Sequence, residues 1–393
     1  MPSSGAPTPT SSRAPAPTPT GATPAPTGAT PAPTGASPSP TPGGATPTPT
    51  APSGTATCVP GANPTVGPEV RSPVALGTYN VNPAKVFVAG ISSGAFFAVQ
   101  MHVAHSARFK GAAIYAGGVY YCSQDSLALA LVECGGETGI TCQALYESTL
   151  SQSEAYLDAQ SAAGTIDPES NLSGQPVYLW SGTKDQVVNP QEMADLDSEY
   201  VHYGARVATD FTYPANHGWE SPDGVVPCPT ATEPYMIVCD QGSQPYDSEK
   251  TWLTTFFGAL APRNGGKLNG SLINFDQTVF GAAASNSMDT NGWIFAPQAC
   301  ASGASCGFVL ALHGCIQNQG IIGDDFVTEA GLDEWADTNN FIVMYPYAVE
   351  AVDPINPMGC WDWWGYNDSS YALKSGTQMT IVYKMVQHAT GLP

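Results

Sequence analysis

Residues 86–100 read VFVAGISSGAFFAVQ. A β-branched and aromatic run turns sharply through G-I-S-S-G and resumes as an apolar helix, which places Ser92 at a strand-to-helix corner between Gly90 and Gly94. The pattern is G-x-S-x-G. Small residues at its two ends let strand and helix approach closely, and the corner lifts the serine hydroxyl clear of the strand. Ser92 is therefore the candidate nucleophile. The plain alternative is an ordinary Gly-Ser turn.

Outward from this corner, apolar runs alternate with helical stretches. Strands are expected at VFVAG (86–90), AAIYAGG (112–118), PVYLWSG (176–182), ATDFTYP (208–214), FVLALHG (308–314) and FIVMYP (341–346). Helices are expected after the corner (AFFAVQMHVAHS), over 190–204 and in the final TQMTIVYKMVQHATG. Pro190 marks a helix start and Gly204 an end. Fully apolar strands separated by helices predict an α/β class with a mostly parallel sheet covered on both faces.

A serine hydroxyl needs a base held by a carboxylate. Of the six histidines, His102, His105, His202 and His388 lie in expected helices, where a packed or surface role suits them. His217, in P-A-N-H-G-W just past a strand, is the candidate base. Asp185, in YLWSGTKDQVV at the end of another strand, is the candidate acid. Asp158, Asp167, Asp195, Asp197 and Asp210 are its rivals, better suited to helix, turn or strand roles. The order Ser, Asp, His is that of the α/β-hydrolases. The oxyanion of such a reaction takes one N–H from the residue after the nucleophile, here Ser93, and a second from a loop that normally precedes it. Only about thirty residues separate VFVAG from a low-complexity run, too few for the early strands. A His-Gly turn after a strand, A-L-H-G-C, occurs instead at 311–315. Joining residue 393 to about residue 80 restores the ordinary hydrolase succession, so the chain is expected to be circularly permuted.

Residues 1–57 are almost wholly Pro, Thr, Ala, Ser and Gly, with GATPAPT repeated at 21–27 and 28–34. Such a segment cannot bury a core and is expected to be a disordered linker, with residues 58–393 forming one catalytic domain. Neither a basic nor an apolar leader follows Met1, so a signal peptide, and a binding module at the far end of the linker, are expected to have preceded it. Lys and Arg total 12 against 33 Asp plus Glu, a formal net charge of −21. That balance argues against nucleic acid as partner. No run reaches the roughly 20 apolar residues that span a bilayer. A monomer with neither metal nor cofactor is expected. Ten cysteines without a C-x-x-C pair read as disulfides in an extracellular protein. N-x-S sequons stand at Asn171, Asn269 and Asn367.

GISSG, SGTKDQVV, ANHGW, residues 288–315 (MDTNGWIFAPQACASGASCGFVLALHGC), WADTNNFIVMYP and GCWDWWGY together resemble the extracellular polyhydroxybutyrate depolymerases with a permuted catalytic domain. The resemblance covers nearly all of residues 78–393. It implies a triad of Ser92, Asp185 and His217, an oxyanion hole of the Ser93 and Cys315 N–H groups, and an aromatic wall around Trp361 and Trp363. His313 is implied near the substrate, shaping the oxyanion loop. The chain departs from the single-domain pattern in its linker, in extra residues around 123–150, and in Cys58 and Cys142.

Short loops suggest the disulfides Cys122–Cys134, Cys228–Cys239 and Cys300–Cys306. Cys315–Cys360 would tie the oxyanion loop to C-W-D-W-W, and Cys58–Cys142 would remain to anchor the linker. The substrate expected from the resemblance is solid polyhydroxybutyrate, cleaved through an acyl-enzyme. Two other readings stand beside it. One is a feruloyl or acetylxylan esterase; the other is a non-catalytic surface-binding protein whose tryptophan cluster holds a polymer.

Overall fold

Val86 to Ile91 are six consecutive buried residues, and their side chains divide by the two-residue period of a strand: Val86 and Val88 enter one apolar cluster, Phe87, Ala89 and Ile91 another. The same division runs through Phe308–Leu312 and Phe341–Tyr345. A sheet buried on both faces requires such continuous apolar runs. The computed structural model describes residues 69–135, 143–241 and 244–393. The expected linker at 1–57, its boundary at residue 58 and the Cys58–Cys142 pair lie outside these residues.

Nine strands form the main sheet among the described residues. They are β1 (Glu69–Val74), β2 (Val81–Ile91), β3 (Ala112–Tyr115), β4 (Pro176–Trp180), β5 (Arg206–Asp210), β6 (Ser271–Asp276), β7 (Asn291–Ala296), β8 (Cys306–Leu312) and β9 (Phe341–Tyr345). Their spatial order is β1-β6-β7-β9-β8-β2-β3-β4-β5. Only β7 runs against its neighbours; every other pairing is parallel. The chain has the α/β-hydrolase fold anticipated from its strand pattern. The sequence reading missed β1, β6 and β7, and it overran β5, which ends at Asp210 instead of Pro214. Residues 213–215 leave the sheet because their carbonyls bond the loop that carries the candidate acid: Thr183 N–H to Tyr213 O at 2.8 Å and Lys184 N–H to Ala215 O at 3.0 Å.

Helices α1 (Ser93–Ala104), α2 (Gln143–Ala163), α3 (Pro190–His202), α4 (Ser248–Phe257), α5 (Leu332–Asn339) and α6 (Thr377–Thr390) cover the sheet. Buried residues of α1, α3 and α6 join the first cluster, and those of α4 and α5 the second. All twelve residues of α1 are buried, so it is sandwiched rather than amphipathic. The end of α6 meets the approach to β2, with Tyr79 N–H bonded to Ala389 O at 2.8 Å and His388 Nε2–H to Leu76 O at 2.8 Å.

Glu199 on α3 is buried, and burial pushes its carboxyl up to about 8. It accepts the Tyr120 N–H at 2.9 Å and the Ser153 hydroxyl, tying α2, α3 and the segment after β3 together. Glu220 and Glu329 are likewise pushed up to about 8 by burial. Unfolded carboxyls ionise near 4.5, whereas these hold their protons to about 8 in the fold. Their contribution to stability is thus full below about pH 4.5 and is lost as pH rises towards 8. Thermal denaturation should show Tm falling between pH 5 and pH 8. Glu199→Gln, neutral at every pH, should remove a share of that slope on the order of a few kcal/mol. An undiminished slope in the variant would contradict this account.

Candidate active site

At the corner between β2 and α1 the backbone of Ser92 has φ 56° and ψ −124°, a left-handed conformation that side chains seldom adopt. Strain of this kind persists only where surrounding contacts hold it. Here Ser92 N–H bonds Tyr115 O at 3.0 Å, while Ser92 O receives the N–H groups of Ala95 and Phe96 at 2.9 and 3.0 Å. The two flanking glycines answer the close approach. A Cβ at Gly90 would lie 2.2 Å from Gly94 O, and one at Gly94 would lie 2.3 Å from His313 O. Residues 90, 94 and 313 are therefore packed backbone against backbone, which brings the oxyanion loop beside the candidate nucleophile.

Asp185 and His217 emerge from neighbouring loops at the ends of β4 and β5. Asp185 Oδ2 lies 2.9 Å from His217 Nδ1. The other carboxylate oxygen accepts the N–H groups of Val187 and Val188 at 2.8 and 2.9 Å, which fixes the carboxylate plane. Both side chains are buried. With Nδ1–H donated to Asp185, Nε2 is the ring nitrogen left to accept a proton. Asn216, which sequence reading passed over, receives the Gln186 N–H at 3.2 Å and the His217 N–H at 2.9 Å on one oxygen, clamping the two loops. Its position beside His217 in A-N-H-G-W was the available signal.

The remaining histidines have other partners. His102 bonds Tyr200 Oη at 2.9 Å and Gln175 Oε1 at 2.7 Å, and burial lowers its imidazole to about 4. His105 stacks on Tyr383, His202 stands 3.8 Å from Glu154, and His388 holds Leu76 O. Among the rival acids, Asp158 accepts from Tyr203 Oη, Asp167 pairs with Lys374, Asp195 accepts from Gln191, and Asp210 accepts from Tyr246. Asp197 lies within α3.

Ser92, Ser93, His217 and Cys315 line one cavity of about 310 Å³. Ser93 is the first residue of α1, so no earlier turn of that helix supplies a carbonyl to its N–H. In the loop after β8, Ile316 N–H bonds Met358 O at 2.7 Å and Gly314 N–H bonds the Gln317 side chain at 2.6 Å. The Cys315 N–H has no partner among the described residues. Two amides at the mouth of an apolar cavity, beside a serine and a carboxylate-held imidazole, can stabilise a tetrahedral oxyanion and move a proton.

Among the described residues, four disulfides join Cys122–Cys134, Cys228–Cys239, Cys300–Cys306 and Cys315–Cys360, four of the five pairings expected from the sequence. The last ties the oxyanion loop to C-W-D-W-W.

No protein-family model matches the chain. It is 36% identical over 328 residues to a poly(3-hydroxybutyrate) depolymerase of Delftia acidovorans; the match covers 82% of this chain and 63% of that protein. It is 33% identical over 333 residues to a polyhydroxybutyrate depolymerase of Talaromyces funiculosus, covering 80% of this chain and 91% of that one. The chain belongs to the polyhydroxybutyrate depolymerase family. A solved structure of a serine-to-alanine PHB depolymerase complexed with an R3HB trimer is similar to it, with TM-score 0.71 and 32% identity over 81% of this chain and 99% of that one.

Within this family member, two of the expected substrate contacts are placed elsewhere. Trp361 is fully buried and does not line the cavity; its ring stacks on Phe97 at 5.1 Å, and its backbone N–H bonds Ser93 Oγ at 3.3 Å. An indole drawn under α1 gains more by core packing than by exposure. The aromatic wall is Trp363, stacked on Phe96 at 4.2 Å, together with Trp364. His313 is also fully buried and absent from the cavity lining. Its Nδ1–H bonds Gly314 O at 2.7 Å, its Nε2 accepts the Ala348 N–H at 3.1 Å, and burial lowers it to about 4. With both ring nitrogens engaged, His313 braces the loop from behind. Exposed apolar side chains ring the cavity mouth, among them Leu127, Leu131, Val187, Ile355 and Met358. Periodicity could not reveal them, because they come from three separate segments.

Proposed function

We propose that the protein is a secreted serine esterase that hydrolyses the ester bonds of poly(3-hydroxybutyrate) to oligomers and monomer. The observation that carries this reading is the meeting of Ser92, the Asp185–His217 pair and the Cys315 N–H at one cavity in a member of the depolymerase family. In the reaction His217 Nε2 takes the Ser92 proton as Oγ attacks the carbonyl, and the Ser93 and Cys315 N–H groups hold the oxyanion. His217 then protonates the departing alkoxide. Water, deprotonated by His217, attacks the acyl-enzyme and releases the hydroxy acid.

The cavity wall supports a polyester over a polysaccharide. Its rim is aliphatic and aromatic, and the side-chain amides of Gln317 and Asn356, which a sugar's hydroxyls would seek, are taken by protein partners. Four disulfides fit secretion. Circular permutation belongs to the same proposal. It is supported by the place of β8 and β9 beside β2 and by the contact of α6 with the residues just before β2.

The test is clearing of amorphous and crystalline polyhydroxybutyrate suspensions, run beside ester release from feruloylated and acetylated xylan. Clearing of polyester without release from xylan is the expected result. Xylan turnover with unchanged polyester would hand the site to the polysaccharide esterases.

A further inference from the structure

Gln317 stands where the oxyanion loop meets the segment that flanks the candidate base. It is buried, and its side chain makes bonds in opposite directions. Oε1 accepts the Gly314 N–H at 2.6 Å, while Nε2 donates to Pro234 O at 2.7 Å. Gln317 N–H reaches back to Gly314 O at 3.4 Å, closing the turn on itself. Gly314 immediately precedes Cys315, whose N–H is left unpaired and shares a peptide plane with Gly314 O. That carbonyl is held by His313 Nδ1–H at 2.7 Å and by Gln317 N–H, while the Gln317 side chain fixes the peptide before it, so a shift of Gly314 on loss of the side-chain bond swings the Cys315 amide away from the cavity.

Pro234 belongs to a stretch that is bound to the residues on either side of the base. Tyr235 O receives the Trp219 N–H at 2.8 Å, the Tyr235 ring lies edge-on to His217 at 6.0 Å, and Cys228 O receives the Asn216 N–H at 2.8 Å. The chain from Cys228 to Tyr235 thus holds both sides of His217, and Gln317 links that chain to the oxyanion loop. The Gln317 side chain lines the cavity, yet both atoms of its amide are already engaged.

We propose that Gln317 is a positioning residue for ester hydrolysis, aiming the Cys315 N–H at the developing oxyanion and holding it in register with His217. This rests on the serine-esterase reading above. Loss of its bonds should act on the transition state more than on the bound ester, because the oxyanion donor matters most when charge develops.

The experiment compares wild type, Gln317→Met and Gln317→Glu with p-nitrophenyl butyrate, each rate divided by the serine titrated with a fluorophosphonate. Methionine preserves the shape and removes both bonds. Glutamate keeps the acceptor for Gly314 and loses the donor to Pro234. Removal of a whole oxyanion donor typically costs about 10²–10³ in kcat, so misaiming one should lower kcat about 10–100-fold, with KM within about twofold. Affinity for butylboronic acid, whose serine adduct is tetrahedral, should weaken by a similar factor. If the methionine variant does not fold, the glutamate variant decides alone. A kcat per titrated serine within twofold of wild type, or a raised KM with unchanged boronate affinity, overturns the proposal. Labelling and turnover by wild type test the esterase reading separately: their absence would remove Ser92 chemistry itself, whatever Gln317 does.

Discussion

Ser92→Ala should lower turnover of p-nitrophenyl butyrate by about 10⁶-fold and abolish fluorophosphonate labelling, with Tm changed by only a few degrees. The effect is large because the hydroxyl forms the covalent bond on which both half-reactions depend. What remains is the modest acceleration, about 10³–10⁴ over water in related catalysts, from binding and the oxyanion donors alone. The small change in Tm follows from local structure. Ser92 makes no side-chain capping bond to α1, and alanine adopts the left-handed backbone at no greater cost than serine. Turnover retained within a hundredfold of wild type would remove Ser92 from the chemistry.

Asp185→Asn should reduce kcat by about 10⁴-fold while leaving the loop in place. The asparagine oxygen can keep the two N–H bonds that Asp185 Oδ1 receives from Val187 and Val188. Its amide nitrogen then faces His217 Nδ1 where a carboxylate oxygen stood at 2.9 Å. That nitrogen donates, so Nδ1 must accept, and the ring proton moves to Nε2. An imidazole in this tautomer cannot take the Ser92 proton. The loss should shrink as alkali deprotonates the serine directly, so the rate of the variant should keep rising with pH beyond the plateau of wild type. A variant within tenfold of wild type at neutral pH would show that the carboxylate does not set the tautomer.

The candidate triad residues were legible because each lies just past the end of a strand, where a side chain reaches the loop face of the sheet. GISSG between β2 and α1, Asp185 after β4 and His217 after β5 share that signature. Five of the described strands were read from continuous apolar runs, though β2 was read without its first five residues and β3 was carried past Tyr115, and β5 was read too long. The edge strand β1, with mostly exposed side chains, gave no such run. β6 and β7 lie in a stretch whose strand character was not picked out.

The sequence alone thus determined the α/β class, the corner at Ser92 and the short-range disulfides, all of which depend on neighbours along the chain. Tertiary structure decided which tryptophan faces the cavity, what His313 braces, and that Asn216 and Gln317 join loops far apart in sequence. Trp361 and Trp363 sit two residues apart in the same motif, yet one packs on Phe97 beneath α1 and the other on Phe96 at the cavity wall. That difference is set by which partner each ring meets across the fold, and contacts between distant segments leave no period in the sequence for a local reading to detect.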